Sequence, residues 1–155
     1  MGMGNPILSD DAVGIRLARD IGRRLAGTPG LAVLEECSFG GLNIVEIMQE
    51  YDRMIITDSI RTRGGKPGDW CRFTARELRD TMNLNNIHDM NFATALEFGR
   101  RMGMKLPSDE NIHIFGVEVQ ELLEFSETMS PALENAYPHF SEEIYREIRD
   151  ILSEQ

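Results

Sequence analysis

A chain of 155 residues buries roughly 70% of the surface its unfolded form exposes, so one domain over residues 1–155 needs no disulfide or metal staple. The net charge of −10, from 26 acidic and 16 basic residues, weighs against nucleic acid, whose phosphates are bound by Lys and Arg. No apolar run approaches the roughly 20 residues that span a bilayer, and the start lacks secretory and myristoylation patterns, so a cytoplasmic setting without membrane insertion is expected.

Val13, Leu17, Ile21 and Leu25 recur every four residues and predict a helix over residues 10–25, with Ser9 as its cap. Gly27 and Gly30 flank Pro29 and stop it. Residues 31–37 read as a strand, and Gly40-Gly41 turns into a helix over residues 42–51. The apolar run 54–57 predicts a strand covered on both faces. A glycine-rich loop over residues 61–69 leads to a strand at 70–74, nearer an edge, and a helix over residues 75–82.

Asparagines mark residues 83–88 as a loop. Phe92, Ala95, Leu96 and Gly99 then trace a helical face that Gly103 can end. Residues 112–119 form the last strand. Phe140, Ile144, Ile148 and Ile151 mark a terminal helix, which Pro138 separates from a short helix after Ser130-Pro131. Strands alternating with helices imply a mostly parallel sheet covered on both sides. A glycine-rich turn feeding a helix normally follows a buried strand, yet only Met1 precedes Gly2. The first strand is therefore expected to be missing, through a truncated or mis-started sequence.

Three settings carry the chemistry: the run 2–11, with Asp10 and Asp11; the run 54–58, ending in Asp58; and the run 86–89, with His88. Each places a metal-capable side chain where an apolar or glycine-rich element meets a loop. Such junctions converge on one sheet edge, just outside the carboxyl ends of the strands. Each residue also has a plainer reading. Asp10 and Asp11 complement a helix dipole, Asp58 caps a turn, and His88 is a surface histidine. Of the acidic pair, Asp11 is the better candidate to face a site while Asp10 caps.

A dinucleotide site is set aside, because Ile7 stands where the fingerprint needs glycine and the acidic pair repels a pyrophosphate. Cys37 has no base paired with it in the sequence, and Cys71 forms no metal-binding pair with it. His113 and His139 have no companion carboxylate at a helpful position and read as structural.

Together these settings resemble the hydrogenase maturation endopeptidases, which trim the C-terminal tail from the large subunit of nickel–iron hydrogenases. The resemblance runs through Gly2-Met3-Gly4-Asn5-Pro6-Ile7-Leu8-Ser9-Asp10-Asp11-Ala12-Val13-Gly14 almost position by position. It continues at Phe39-Gly40-Gly41, Ile55-Ile56-Thr57-Asp58, His88, Gly116-Val117-Glu118 and Met129-Ser130-Pro131.

The resemblance implies an α/β fold, a three-layer α/β/α sandwich around a twisted, mostly parallel sheet of about five strands. It implies a nickel-dependent endopeptidase whose partner is a hydrogenase large-subunit precursor. The family's metal-contacting acid, second acid and histidine fall on Asp11, Asp58 and His88, which would also carry catalysis. The first is often a glutamate in relatives, and aspartate is one methylene shorter. The nickel is expected to arrive with the precursor, and zinc or cadmium could replace it in the isolated protein. Gly4, Asn5, Gly40 and Gly41 would give room and backbone donors to the peptide. Two alternatives stay open: a non-catalytic assembly factor that recognises the nickel-loaded precursor, and a related endopeptidase on the same architecture.

Overall fold

The computed structural model describes residues 1–37, 41–80, 87–120 and 125–154, with residues 79–80 and 87–91 described by backbone alone. Three strands form one sheet: β1 (Met54–Ile60), β2 (Trp70–Thr74) and β3 (Ile112–Glu118). Their order is β1-β3-β2. β1 runs parallel to β3, with Met54 opposite Ile112 and Asp58 opposite Gly116. β2 lies antiparallel on the other side of β3, with Trp70 opposite Val117. The sheet is therefore mixed, and of the strands expected at 54–57, 70–74 and 112–119 all form.

Alternation along the strands sends side chains to two separate cores. Met54, Ile56, Ile112 and Ile114 pack with Ile44, Val45 and Met48 of α2 (Leu42–Met48) and with Phe92, Ala95 and Leu96 of α4 (Ile87–Arg101). Leu78 of α3 (Ala75–Asp80) joins them. Ile55, Phe115 and Val117 pack instead with α1 (Val13–Arg24) and α5 (Pro131–Ser153). Both faces of β1 are thus covered, which is why its sequence is a continuous apolar run rather than an alternating one.

Residues 31–37 do not form the expected strand. Cys37 alone bridges to Met3, and residues 32–36 are exposed. Residues 1–3 lie between this segment and β1, and among the described residues they bridge to the segment at Cys37 alone. They pair with both sides. The Met3 amide donates to Thr57 O at 2.8 Å and the Thr57 amide to Met1 O at 3.0 Å. On the other side the Gly2 amide donates to Leu34 O at 3.0 Å and the Cys37 amide to Gly2 O at 2.8 Å. The place expected for a missing first strand is therefore held by residues 1–3. The Met1 ammonium donates to Ile55 O at 2.7 Å, beside a cavity of ≈ 450 Å³ lined by Leu31, Val33, Leu34, Met54 and Leu152 among others.

At the other end, α5 is one continuous helix with Pro138 inside it, not two helices broken there. Proline removes one backbone bond, to Glu134 O. The apolar stripe Leu133, Tyr137, Phe140, Ile144, Ile148 and Ile151 is buried on both sides of it, and burying large side chains at about 1.5–3 kcal/mol each outweighs one bond. Tyr137 also donates its hydroxyl to Asp20 of α1 at 2.8 Å, and Arg16 pairs with Glu134 at 2.7 Å.

One glycine decides how α1 sits. A Cβ on Gly14 would lie 2.3 Å from Thr57 O and 2.4 Å from Met3 O. The helix therefore rests directly on the backbone of β1, which brings the residues just before it to that strand's carboxyl end.

Candidate active site

Asp10 and Asp11 lie on a single 3-10 turn, Ser9–Ala12, that precedes α1. The expected cap is absent: Ser9 has φ 32°, and its hydroxyl donates to Thr128 O at 3.2 Å. The two aspartates point to different tasks. Asp10 is fully buried and accepts from the Ser130 amide at 2.6 Å and the Ser130 hydroxyl at 3.0 Å. Ser130 in turn caps α5 by accepting from the Leu133 amide. Asp10 therefore joins the turn to the start of α5 rather than capping its own helix.

Asp11 faces β1. Its Oδ1 accepts from the Ser59 hydroxyl at 2.6 Å and its Oδ2 from the Asn5 amide at 2.8 Å. The loop before it must come very close: Gly4 has φ +135°, and a Cβ there would lie 2.0 Å from Asp11 O. Only glycine satisfies both conditions. Gly4 and Asn5, expected to contact a peptide, thus also hold Asp11, and the Asn5 amide is already engaged.

Asp58 is not at a strand end, as the run 54–57 suggested. β1 continues to Ile60, so Asp58 sits inside the strand, and it is only 6% exposed. Its Oδ1 accepts from the Ser59 amide at 2.8 Å. Asp11 and Asp58, 47 positions apart in sequence, therefore both bond to one residue, Ser59. No sequence signal singled out Ser59, which lies beyond the apolar run 54–57 expected to form the strand. Its position directly after a candidate ligand was the available hint.

His88 is the second residue of α4 rather than part of a loop. Its side chain lies outside the described residues, as does all of Gly40. Gly41 has φ 66° and stands at the N-cap of α2 with open space around its Cα. Among the described residues, no group of three or more His, Cys, Asp or Glu is placed to hold a metal ion; that set does not include His88.

The remaining candidates sit elsewhere. Cys37 is buried and Cys71 exposed, and neither forms a disulfide. His113 in β3 has its pKa lowered chiefly by burial, with Arg72 and Arg53 adding to the effect. Its Nδ1 is buried and has no hydrogen-bond partner among the described residues. His139 is exposed and lies 3.5 Å from Glu143. Glu118, at the end of β3, accepts from the Thr62 amide at 3.0 Å and from the Thr62 hydroxyl, fixing the loop that follows β1.

A family model described as HycI, hydrogenase maturation protease, matches residues 15–147. The chain belongs to the hydrogenase maturation protease family. It is accordingly a peptide hydrolase. The match starts after the opening run 2–14 and includes the later stretches that carried the resemblance. Comparison with curated protein sequences gives no significant match.

Solved structures share the fold. The hydrogenase-maturating endopeptidase HybD from Escherichia coli is 22% identical with a TM-score of 0.71, and the alignment covers 96% of this chain and 90% of that one. The solution structure of an Escherichia coli endopeptidase gives 23% and 0.77, over the same shares. The nickel–iron hydrogenase maturation protease HybD from Thermococcus kodakarensis gives 21% and 0.69, covering 94% of each chain. Among the described residues, no helix is long and apolar enough to cross a membrane.

Proposed function

We propose that this family member removes the C-terminal tail of a nickel–iron hydrogenase large-subunit precursor, using nickel that the precursor itself carries. The supporting observation is the bond from the Ser59 hydroxyl to Asp11, which holds that acid against the residue next to Asp58 near the carboxyl end of β1. Two acids remote in sequence are thereby brought to one stretch of β1, on the edge where open α/β sheets bind ligands.

The donor set fits a divalent cation with open positions. Each Asp11 oxygen accepts one hydrogen bond, and a carboxylate oxygen has a second acceptor site to offer. Asp58 supplies a second carboxylate, and His88 the imidazole that suits nickel, zinc or cadmium. When bound, such a metal polarises a carbonyl and lowers the pKa of water.

The chain's own residues do the rest. A carboxylate of the pair takes the proton from the attacking water as general base and returns it to the departing amine. Gly4, Asn5, Gly40 and Gly41 are the residues proposed to give the extended substrate room and backbone donors. The backbone bridges at Met3 and Cys37 are read as short counterparts of two further strands, which would complete the five-strand, three-layer family architecture.

The test mixes the protein with a nickel-loaded precursor and with a nickel-free one. The loaded precursor should shorten and the free one stay whole. Asp58→Ala and His88→Ala should keep their fold, judged by circular dichroism, and cut nothing. Normal tail removal by both variants overturns the assignment, and tight binding without any cleavage makes the chain an assembly factor instead.

A further inference from the structure

We infer that Ser59 is a positioning residue of this site, setting the orientation of the Asp11 carboxylate relative to Asp58; the inference rests on the function proposed above. Neighbouring residues on a strand point to opposite faces. Asp58 follows Ile56, whose side chain packs with α2 and α4, whereas Ser59 shares the parity of Ile55, which packs with α1 and α5. Asp11 precedes α1, so the Ser59 hydroxyl lies on the face from which Asp11 comes, while the Ser59 amide, in the strand backbone, donates to the adjacent Asp58. Residue 59 thus links the two acids: its hydroxyl reaches Asp11 and its amide reaches Asp58.

The contact to Asp11 has the geometry of a strong bond. At 2.6 Å it lies in the range of hydroxyl-to-carboxylate bonds, which are roughly twice as strong as neutral ones. Ser59 is 2% exposed, so water competes little for its proton. Asp11 also accepts from Asn5 through its other oxygen. One anchor on each oxygen stops the carboxylate rotating about its last bond; a single anchor leaves that rotation open. Aspartate, one methylene shorter than glutamate, has little reach to spare, so its orientation decides whether its free acceptor sites point toward a shared ion.

This role separates from simple packing by chemistry of the side chain at 59. Threonine keeps the hydroxyl and suits a strand. Valine keeps the shape of threonine without a hydroxyl, and alanine removes the group. Outer partners of metal ligands typically contribute about 10–100-fold to metal affinity.

The experiment titrates cadmium into the whole chain by calorimetry for wild type, Ser59→Ala, Ser59→Val and Ser59→Thr, with melting temperatures alongside, and repeats the series for precursor cleavage. Ser59→Ala and Ser59→Val should weaken cadmium binding about 10–100-fold, while Ser59→Thr stays within about threefold of wild type. Wild-type affinity in Ser59→Ala or in Ser59→Val overturns the role. So does a loss in folded Ser59→Thr equal to that in the other two. A wild type that neither takes up cadmium nor cuts the precursor refutes the proposed function, and the Ser59 role with it. A wild type that binds or cuts, beside an unaffected Ser59→Ala, refutes Ser59 alone.

Discussion

In the 155-residue polypeptide with a free Met1 amine, acetylation removes a group whose charged form burial disfavours. Burial lowers the ammonium pKa from 8.0 to about 6, opposed in part by the nearby Cys37 thiol, which raises it. Between those values the unfolded chain binds the proton and the folded chain does not, so stability rises with pH across that window and is flat above it. A difference of about two units at 1.36 kcal/mol each gives an upper figure of about 2.7 kcal/mol. Met1 as a residue is only half-buried and borders the cavity, and solvent screening reduces the figure to about 1–2 kcal/mol. For a chain of this size that is a melting shift of about 2–8 °C. The amide of an acetylated Met1 keeps one N–H for Ile55 O but carries no charge. Scanning calorimetry from pH 5.5 to 8.5 should show the acetylated protein more stable at the acid end, with the two forms converging above pH 8. His113, whose pKa is also lowered by burial, adds a slope of the same sign below its ordinary value of 6.5, and acetylation leaves that slope in place. Identical pH profiles for the two forms, or an unmodified protein that weakens as pH rises from 6 to 8, refute the reasoning.

Asp10→Ala removes the acceptor of both Ser130 bonds and leaves a backbone amide unsatisfied; hydrogen bonds to charged groups contribute about 1.5–3 kcal/mol, so a loss of about 2–4 kcal/mol is expected by urea unfolding. A change below about 0.5 kcal/mol, typical of unengaged surface positions, counts against the role of Asp10 in joining the 3-10 turn to α5. Cys71 is exposed and Cys37 buried, so a chromogenic thiol reagent should label one equivalent in the folded protein and the second only after unfolding. Rapid labelling of both contradicts the placement of Cys37.

Much of the fold is legible because local pattern and burial agree. The run at 54–57 and the stretch at 112–119 are apolar enough to be covered on both faces, and both became strands. Departures arise where a distant partner decides. Residues 31–37 have strand-forming side chains, yet among the described residues a single bridge, between Met3 and Cys37, ties them to the neighbouring backbone. Pro138 is a local breaker, yet the buried stripe along both sides of it carries α5 through. Asp58 and the acidic pair stand out in sequence because acids at the ends of apolar runs are unusual. The division of labour between Asp10 and Asp11 does not, since both carry the same chemistry and the outcome depends on what each meets.

The amino-acid sequence by itself determined the alternation of strands and helices, the glycines that permit close backbone approach, and the opening run that marks the family, because these follow from side-chain size, polarity and backbone freedom along the chain. Only the tertiary structure decided that Asp10 serves α5, that Asp11 and Asp58 meet at Ser59, and that residues 1–3 lie between β1 and the segment at 34–37. Those outcomes depend on which surfaces Gly14 and the two apolar cores press together, and hydrogen bonds between residues 48 or 120 positions apart leave no periodic trace in the chain.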